Sequence, residues 1–473
     1  MTTIHILLWL TLLYYIALHA IYLVLVLLGA TKVSRYHRGI TFEEFQRIGA
    51  SHLSMPISLI IPCFNESEII TETIRNALRL SYPQFEVIVV SDGSTDGTIP
   101  LLKESFHLRR IDRFGRRHLD TREILGIYET SDHPNLVVIE KVNGRRADAI
   151  NAAVNLSRYP LLCIIDADCV LETDALLHMA RPFLHDTRVV AVAGIVRPSN
   201  GLSFSNGEIL RNALPQTLLG MNQEVEYARS FQWARIGLCS LKSMLCISGA
   251  LLLIKKSLFE EVGGSWPDAI TDDIEFTMRL NRHIHDRRRK DHSRLVFAPD
   301  AVCYTEIPET LSQYASQRNR WQRGTMQALW RNAGMIFNPR YGMTGLFGMP
   351  FFLIFEALAA LVELSTWMLM VVCLALGIAS GVEIIAMIFL AYILGVFLSL
   401  TAVVITESTR LRTASWWDFW RLILAIFIDN LGFHQFHLII RVIGTFQYLL
   451  GRKDLGVVMT RNGNQSPLNT HTP

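Results

Sequence analysis

The sequence predicts an α/β domain with a mainly parallel sheet, inserted between apolar helices that cross a membrane. Half of the 473 residues are hydrophobic and only 18% are charged, whereas soluble domains carry about 25% charged residues. The mean hydropathy is +0.28. Long uncharged runs lie near both ends of the chain, and short β-rich runs alternate with helical patterns between them, which is typical of α/β architecture.

The charge balance and the cysteine pattern exclude two classes of function. The chain has 45 basic and 42 acidic residues, a net charge of +3, and nucleic-acid-binding domains carry far more concentrated positive charge. We therefore expect no nucleic-acid partner. The seven cysteines are scattered without a CxxC spacing, which favours reduced thiols over a disulfide framework or a structural zinc site.

The first element is an uncharged run from Ile6 to Ala30. As a helix it would extend roughly 37 Å, enough to cross a hydrocarbon core of about 30 Å. A cleaved signal peptide would need a basic start and a shorter apolar run. Lys32, Arg35 and Arg38 follow directly, and the positive-inside rule then places residue 1 outside and residue 40 in the cytoplasm.

The middle of the chain has no run long enough to span a membrane, and its elements alternate. Apolar runs predict strands at 57–61, 85–90, 136–139, 161–165 and 189–196. Helical patterns cover 66–80, 147–156 and 171–183. This alternation predicts a mainly parallel sheet with helices on both faces, and such sheets bind ligands at the carboxyl ends of their strands.

Polar residues follow four of these strands, at 62–66, 91–94, 141–144 and 166–168. Asp166 and Asp168 stand two apart, so both side chains point to one face, and paired carboxylates suit Mg2+ or Mn2+. Asp92 is either a ligand-binding acid or the cap of the next helix. The basic side chains on the same rim can neutralise a phosphate; they are Lys141, Arg145 and Arg146.

Two further motifs precede the second apolar region. Asp272 and Asp273 begin a helical pattern, where acids either complement the helix dipole or serve as a general base. Gln317 and Trp321 are four apart in a helical stretch and share a face. A tryptophan there is either an anchor in the bilayer interface or a platform for a sugar ring.

The second apolar region predicts further membrane segments. Residues 384–405 form an uncharged run long enough to span. Residues 346–382 contain Glu356 and Glu363, and they form either an interfacial helix leading into a span or one long tilted helix. The two acids face either a cavity or the interface. Residues 419–450 either span once or enter and return.

Seven motifs together resemble the membrane-integrated, processive glycosyltransferases of family 2, the group of the cellulose, hyaluronan, chitin and poly-N-acetylglucosamine synthases. They occur in the family's order with family spacing over residues 55–325. The motifs are PCFNES at Pro62, SDGSTDG at Ser91, NGRRADAIN at Asn143, DAD at Asp166, SGA at Ser248, TDD at Thr271 and QRNRW at Gln317.

The resemblance implies a GT-A fold and transfer from a UDP-sugar, UDP-GlcNAc or UDP-glucose, with Mg2+ or Mn2+ and inversion at the anomeric carbon. The acceptor would be a growing β-linked polysaccharide that is moved across the membrane as it grows. A single addition to a lipid, a ceramide or a polyprenyl phosphate, stays open as the alternative. Accessory export subunits also stay open.

Residue by residue, the resemblance assigns the roles below. The loop residues Pro62, Asn65 and Glu66, together with Asp92, would hold the uridine. Asp166 would contact the nucleotide-sugar and Asp168 the metal, and Asp273 would be the base. Gln317, Arg320 and Trp321 would frame the acceptor and the diphosphate. The family often has Gly-Lys where this chain has Arg145-Arg146, so Arg146 keeps a substrate-binding charge with a different geometry.

The resemblance and the apolar pattern predict a multi-pass protein of the plasma (inner) membrane with a cytoplasmic catalytic domain. The predicted divisions are a transmembrane helix at 1–30, an interfacial linker at 31–54, the GT-A domain at 55–310, amphipathic interface helices at 311–345, transmembrane or interfacial helices at 346–450, and a polar tail at 451–473.

Overall fold

The computed structural model describes residues 2–38, 54–113, 115, 118–211, 213–287, 293–409 and 416–452. Its central part is an α/β domain built on one ten-stranded sheet, with a separate two-stranded hairpin. The strands are β1 (Ile57–Cys63), β2 (Phe85–Asp92), β3 (Arg109–Ile111), β4 (Ile124–Glu129), β5 (Leu136–Lys141), β6 (Leu161–Ile164), β7 (Val170–Leu171), β8 (Val189–Pro198), β9 (Ser203–Ser205), β10 (Glu208–Arg211), β11 (Leu252–Lys255) and β12 (Arg294–Thr305).

Some helices cover the two faces of this sheet, and others form the apolar segments near the two ends of the chain. They are α1 (Thr2–Arg38), α2 (Ile70–Leu78), α3 (Thr98–Ser105), α4 (Arg145–Leu156), α5 (Ala175–His185), α6 (Leu218–Glu226), α7 (Arg235–Ser240), α8 (Lys256–Glu261), α9 (Asp272–Asp286), α10 (Leu311–Arg331), α11 (Thr344–Ala357), α12 (Ala359–Ala375), α13 (Gly381–Thr409), α14 (Trp416–Ile428) and α15 (His434–Leu449). Between α6 and α7 the chain stays helical in wider π turns; we call residues 218–240 the bridging segment.

The strand order is β3-β4-β5-β2-β1-β6-β11-β8-β12-β7. The run β5-β2-β1-β6 is parallel, as is the β8–β12 pair. The expectation of a mainly parallel sheet is wrong, because β11 runs antiparallel to both of its neighbours and the two edges are antiparallel as well. The α/β class is confirmed, and the sheet is mixed.

Alternate side chains of the central strands enter two separate cores. Leu59 and Val87 pack with the helices on one face, whereas Ile60 and Ile88 pack on the other. Because both faces are covered, these strands read as continuous apolar runs in the sequence. The helix predicted at 66–80 begins only at Ile70, since the preceding loop bonds to the loop after β2 instead.

Three helices in the described part of the chain are long and apolar enough to cross a membrane, and a bent pair makes up to four. They cover Ile4–Arg38, Gly381–Ser408 and Trp416–Leu449, and the pair α11 and α12 meets at 46°. The break falls at Leu358, between Glu356 and Glu363. Helix α1 continues through Arg38, beyond the predicted span, while residues 39–53 of the predicted linker and 453–473 of the tail lie outside the described residues.

Helix α1 packs closely on the bridging segment. A Cβ atom at Gly29 would lie 2.6 Å from the Trp233 carbonyl oxygen, and one at Gly237 would overlap the Leu25 backbone. Glycine at these two positions therefore lets the backbones touch. The hydroxyl of Tyr22 donates to Glu356, 334 positions along the chain. The first helix and the later helices thus form one assembly.

Candidate active site

The carboxyl ends of β5, β2, β1 and β6 meet at one edge of the sheet because these four strands are parallel. Two loops at this edge bond to each other. The Asn65 amide donates to Ser94 Oγ at 3.1 Å, and Asn65 Oδ1 accepts from the Thr95 amide at 2.7 Å. Asn65 has a φ of 56°, a left-handed conformation that asparagine tolerates. The motifs that begin at Pro62 and Ser91 are therefore held together as one surface at this edge of the sheet.

Asp92 is buried at the end of β2, and Lys141 lies against it. Lys141 Nζ donates to Asp92 Oδ1 at 2.6 Å and lies 3.4 Å from Asp148. The Gly144 amide also donates to Asp92 Oδ1, at 3.0 Å. Lys141 is fully buried, so it is not a rim charge for a phosphate as the sequence suggested; it orients Asp92. Asp96 makes the capping bonds to Thr98, so the capping interpretation of Asp92 is wrong.

Asp166 and Asp168 follow β6. One ligand atom from each, together with Cys169 Sγ, lies within 4.8 Å of the others. Burial raises the pKa of the Cys169 thiol well above its usual value, so it stays protonated and is a poor ligand for a hard cation. Thr305 donates its hydroxyl to Asp168 Oδ2 at 3.2 Å. The two carboxylates therefore fit a divalent cation that prefers oxygen, such as Mg2+ or Mn2+.

Arg146 joins three of the predicted motifs. Its Nε donates to Asp166 Oδ1 at 2.7 Å, its Nη1 to Asp272, and its Nη2 to the Gly249 carbonyl at 2.8 Å. Burial alone would lower the pKa of Arg146, but the carboxylates of Asp166 and Asp272 outweigh it and raise the pKa. A planar guanidinium can hold three acceptors at fixed angles where the point charge of a lysine cannot.

Asp273 lies in the first turn of α9, where its Oδ1 accepts from the Ile274 amide at 2.8 Å. Burial first, and the neighbouring Asp272 charge second, raise the pKa of Asp273. Its carboxylate is therefore a stronger proton acceptor than an ordinary exposed aspartate. Helix α10 approaches this turn closely, since a Cβ atom at Gly324 would overlap the Thr271 side chain.

Helix α10 presents Gln317, Arg320 and Trp321 to the same cavity as the acids. The Trp321 ring meets the Phe231 ring at a centroid distance of 5.5 Å, and the Arg318 guanidinium lies 4.1 Å from its centroid. Trp321 is thus partly enclosed by neighbouring side chains.

The cavity has a volume of about 1020 Å³ and continues from the acids into the apolar helices. Glu356 and Glu363 both line it, which confirms the first of the two interpretations of these acids. Glu356 accepts from Tyr22 and pairs with Arg441, and Glu363 lies 2.7 Å from His434 Nε2. Both acids therefore have polar or charged partners on other helices, as expected for carboxylates among apolar helices.

The structure divides the predicted site residues into two groups. One group lines the cavity: Arg146, Asp166, Asp168, Asp273, Gln317, Arg320 and Trp321. The other four, Pro62, Asn65, Glu66 and Asp92, lie at the neighbouring strand ends and not among the lining residues. Sequence reasoning missed Arg318 and its partner Glu226, which are 92 positions apart; only the second letter of QRNRW hinted at the arginine.

The family model described as "Glycosyl transferase family group 2" matches residues 161–400, just over half of the chain. The chain belongs to this family. The model described as "Glycosyl transferase family 2" matches residues 58–263. The protein is therefore a glycosyltransferase, and its acids, arginine and tryptophan line the cavity of a glycosyltransferase domain.

Two of the curated relatives of this glycosyltransferase carry the same name. A poly-beta-1,6-N-acetyl-D-glucosamine synthase of Staphylococcus epidermidis is 27% identical over 72% of this chain and 69% of its own length. The protein of that name from Staphylococcus aureus strain COL is 29% identical over 58% of this chain and 56% of its own length.

A solved structure matches the fold of the glycosyltransferase at a TM-score of 0.52 and 18% identity. It is a mannosyltransferase from Pyrobaculum calidifontis in complex with GDP-Man and Mn2+, and the match covers 89% of this chain and 99% of the other. At this identity the likeness concerns the fold. It confirms the GT-A class.

Proposed function

We propose that this glycosyltransferase transfers a sugar from UDP-GlcNAc or UDP-glucose to a growing β-linked polysaccharide and passes that chain into the membrane. One observation carries the proposal. The same cavity is lined by the carboxylates after β6 and by residues of α1, α12 and α13. A glycan extended at the acids would have a continuous route in between the apolar helices. The names of the curated relatives favour a polymer over a single addition.

In this proposal the edge formed by the two bonded loops receives the uridine. Asn65 and Glu66 are fixed there by Ser94, Thr95 and Thr98. Asp92, held by Lys141, offers an acceptor for an imide N–H of the base. Pro62 lies at the end of β1, in register with Val90 on β2. Because the two loops are already held by these bonds, little conformational entropy is lost when the uracil binds to them.

Asp168 would hold a Mg2+ or Mn2+ ion, which supplies Lewis-acid neutralisation of the leaving diphosphate. Asp166 lies beside it and contacts the nucleotide-sugar. Arg146 is anchored between Asp166 and Asp272, so its charge is fixed at the place where negative charge develops on UDP.

Asp273 accepts the proton of the acceptor hydroxyl. As that proton leaves, the acceptor oxygen forms a bond to C1 of the donor sugar and the bond from C1 to the UDP oxygen breaks. Attack opposite the leaving group inverts the anomeric carbon. The raised pKa of Asp273 suits this step, because a general base works best with a pKa near the operating pH.

The acceptor sugar rests on Trp321, and Gln317 and Arg320 reach its hydroxyls and the diphosphate. A flat aromatic ring suits the apolar face of a pyranose. All three side chains line the cavity on α10. They lie between the acids and the apolar helices in the sequence.

We further propose the plasma (inner) membrane as the location, with the domain in the cytoplasm. The basic side chains at the end of α1, Lys32, Arg35 and Arg38, support that orientation. The predicted divisions at 55–310, 311–345 and 346–450 are part of the same proposal, as are accessory export subunits.

The test uses the purified full chain in detergent or nanodiscs. Each radiolabelled UDP-sugar is supplied in turn with Mg2+ or Mn2+, and the product is sized. We expect a long polymer from one donor and none in the presence of a chelator. A short, organic-extractable product would indicate a lipid acceptor instead. No label transferred from any UDP-sugar would overturn the proposal.

A further inference from the structure

Arg318 is one of the most deeply buried charged side chains of the described chain, with 2% of its surface exposed. It lies in α10, between two aromatic rings. Its guanidinium is 4.6 Å from the centroid of Tyr314 and 4.1 Å from that of Trp321. A guanidinium stacked on two rings restricts both of them.

The guanidinium also makes two short hydrogen bonds. Arg318 Nη2 donates to Glu226 Oε2 at 2.6 Å, and Nη1 donates to Gln317 Oε1 at 2.6 Å. Burial alone would lower the pKa of Arg318, but Glu226, Tyr314 and Tyr227 together outweigh it and raise the pKa. The arginine therefore stays charged in a place where an unpaired charge would be strongly unfavourable.

Glu226 belongs to the bridging segment and not to α10. The same segment supplies Phe231, whose ring meets Trp321 at 5.5 Å. Trp321 is thus contacted by the Arg318 guanidinium and by the edge of the Phe231 ring. The bridging segment holds both contacts, because it carries Phe231 and the Glu226 that binds Arg318. Without the contacts from Arg318 and Phe231, the Trp321 side chain would sample several rotamers.

We propose that Arg318, held by Glu226, is the positioning residue of the acceptor platform. It fixes the Trp321 ring and the Gln317 carboxamide relative to each other before the sugar arrives. Arg318 lines the cavity beside these two residues. Its side chain is almost fully buried and both terminal nitrogens already donate to protein acceptors, so we assign it to positioning and not to sugar binding. This inference rests on the proposed function, since it presumes that Trp321 and Gln317 meet an acceptor sugar.

The experiment separates positioning from stability by measuring two outcomes of one donor. Labelled UDP-sugar is converted either to polymer or to free sugar by hydrolysis, and the polymer-to-hydrolysis ratio is determined on purified, full-length Arg318→Gln, Glu226→Gln and the double variant. UDP affinity is measured on the same samples. Arg318→Lys keeps the charge but not the fork that reaches both Glu226 and Gln317.

We expect each single variant to lower the ratio by at least about tenfold with unchanged UDP affinity, and the double variant to lose no more than either single one, because coupled residues are non-additive. Arg318→Lys should fall in between. Equal losses of polymer and hydrolysis, an unchanged ratio, or single losses that multiply in the double variant would overturn the inference.

Arg323→Gln is the matched control. Arg323 is buried to the same 2% on the same helix, but it bonds to Asn319 and to the Arg452 carbonyl and does not line the cavity. Its variant should lower yield and leave the ratio unchanged. Trp321→Ala in the same assay separates the two proposals. If this variant leaves the polymer-to-hydrolysis ratio unchanged, the proposed acceptor site is wrong. If it lowers the ratio and the Arg318 variants do not, only the present inference is wrong.

Discussion

The carboxyl group of Asp273 lies in a half-buried turn beside a second acid, and its loss of solvent and the charge of Asp272 both raise its pKa. Asp273→Asn keeps the shape and removes the proton acceptor. We expect sugar transfer to fall by about 10²–10⁴ while UDP and metal affinity stay near wild type. Turnover and UDP affinity measured on one purified sample decide this, and near-normal turnover would exclude Asp273 as the base.

The raised pKa of Asp273 also predicts a pH dependence. The base works only when ionised, so activity is lost as the pH falls through its pKa. Since that pKa is raised, the acid limb of kcat should lie above the range of an ordinary aspartate, about 3.9. Asp272→Asn removes a charge that raises this pKa and should move the acid limb to lower pH. A pH profile of both proteins tests the sign, and a limb that stays or moves upward contradicts the assignment.

Asp168 has its own test, which does not depend on turnover. Asp168→Ala removes one of the two carboxylates at the proposed metal site. We expect UDP binding to lose its dependence on Mn2+, because hard cations need oxygen ligands. Calorimetric titration of UDP with and without Mn2+ measures this. A variant whose UDP affinity still responds to Mn2+ as the wild type does would place the metal elsewhere.

At the scale of elements, α10 is in close contact with the turn at Thr271, which precedes the proposed base Asp273. Gly324→Ala would place a methyl group against the Thr271 side chain. We expect a loss of about 1–3 kcal/mol in stability and a loss of transfer beyond the drop in yield, because the turn carrying Asp273 must shift. Thermal unfolding and specific activity are the measurements.

Gly334→Ala is the control for this contact, since nothing lies within 4 Å of a Cβ atom there. It should keep both stability and activity. If Gly324→Ala behaves in the same way, the helix does not hold the turn.

Some elements were readable from the sequence and others were not, for a physical reason. The strands around Ile60 and Val90 appear as apolar runs because both faces are covered. The same coverage hides the direction of a strand. β11 is as apolar as the parallel strands β1 and β2, and its antiparallel pairing with both neighbours leaves no local signal in the sequence. The acids after β6 were found because they follow a strand within a few residues.

Long-range partners were beyond sequence reasoning. Lys141 resembled a rim charge because nothing near it in the sequence shows that Asp92 and Asp148 surround it. The Arg318–Glu226 pair joins segments 92 positions apart. Glu356 and Glu363 allowed two interpretations until the bend at Leu358 and the partners on other helices were known.

At the scale of the whole molecule, the cavity predicts the effect of a large side chain placed between the apolar helices. Such a side chain should block elongation of the polymer and leave hydrolysis of the UDP-sugar intact. Gly395 lines the cavity on α13, and a Cβ atom there would meet the Asn430 side chain and lie 3.8 Å from His19 Nε2. Gly395→Leu should leave UDP-sugar hydrolysis near wild type and shorten the polymer. Product sizing and free-sugar release measure the two.

Gly381→Leu on the same helix is the matched control, because nothing lies within 4 Å of a Cβ atom there and Gly381 does not line the cavity. It should give full-length polymer. Equal product lengths from both variants would mean that the glycan takes another route.

The bond between Tyr22 and Glu356 has a consequence during synthesis. A ribosome adds about 5–20 residues per second, so the 334 positions between the two residues take roughly 20–70 seconds to translate. For that time Tyr22 on the first helix has no Glu356 to bond to. Substitutions that weaken this contact would act in that interval, when an unassembled segment is exposed to membrane proteases. We expect them to lower the amount of protein and to leave the specific activity of the assembled protein unchanged.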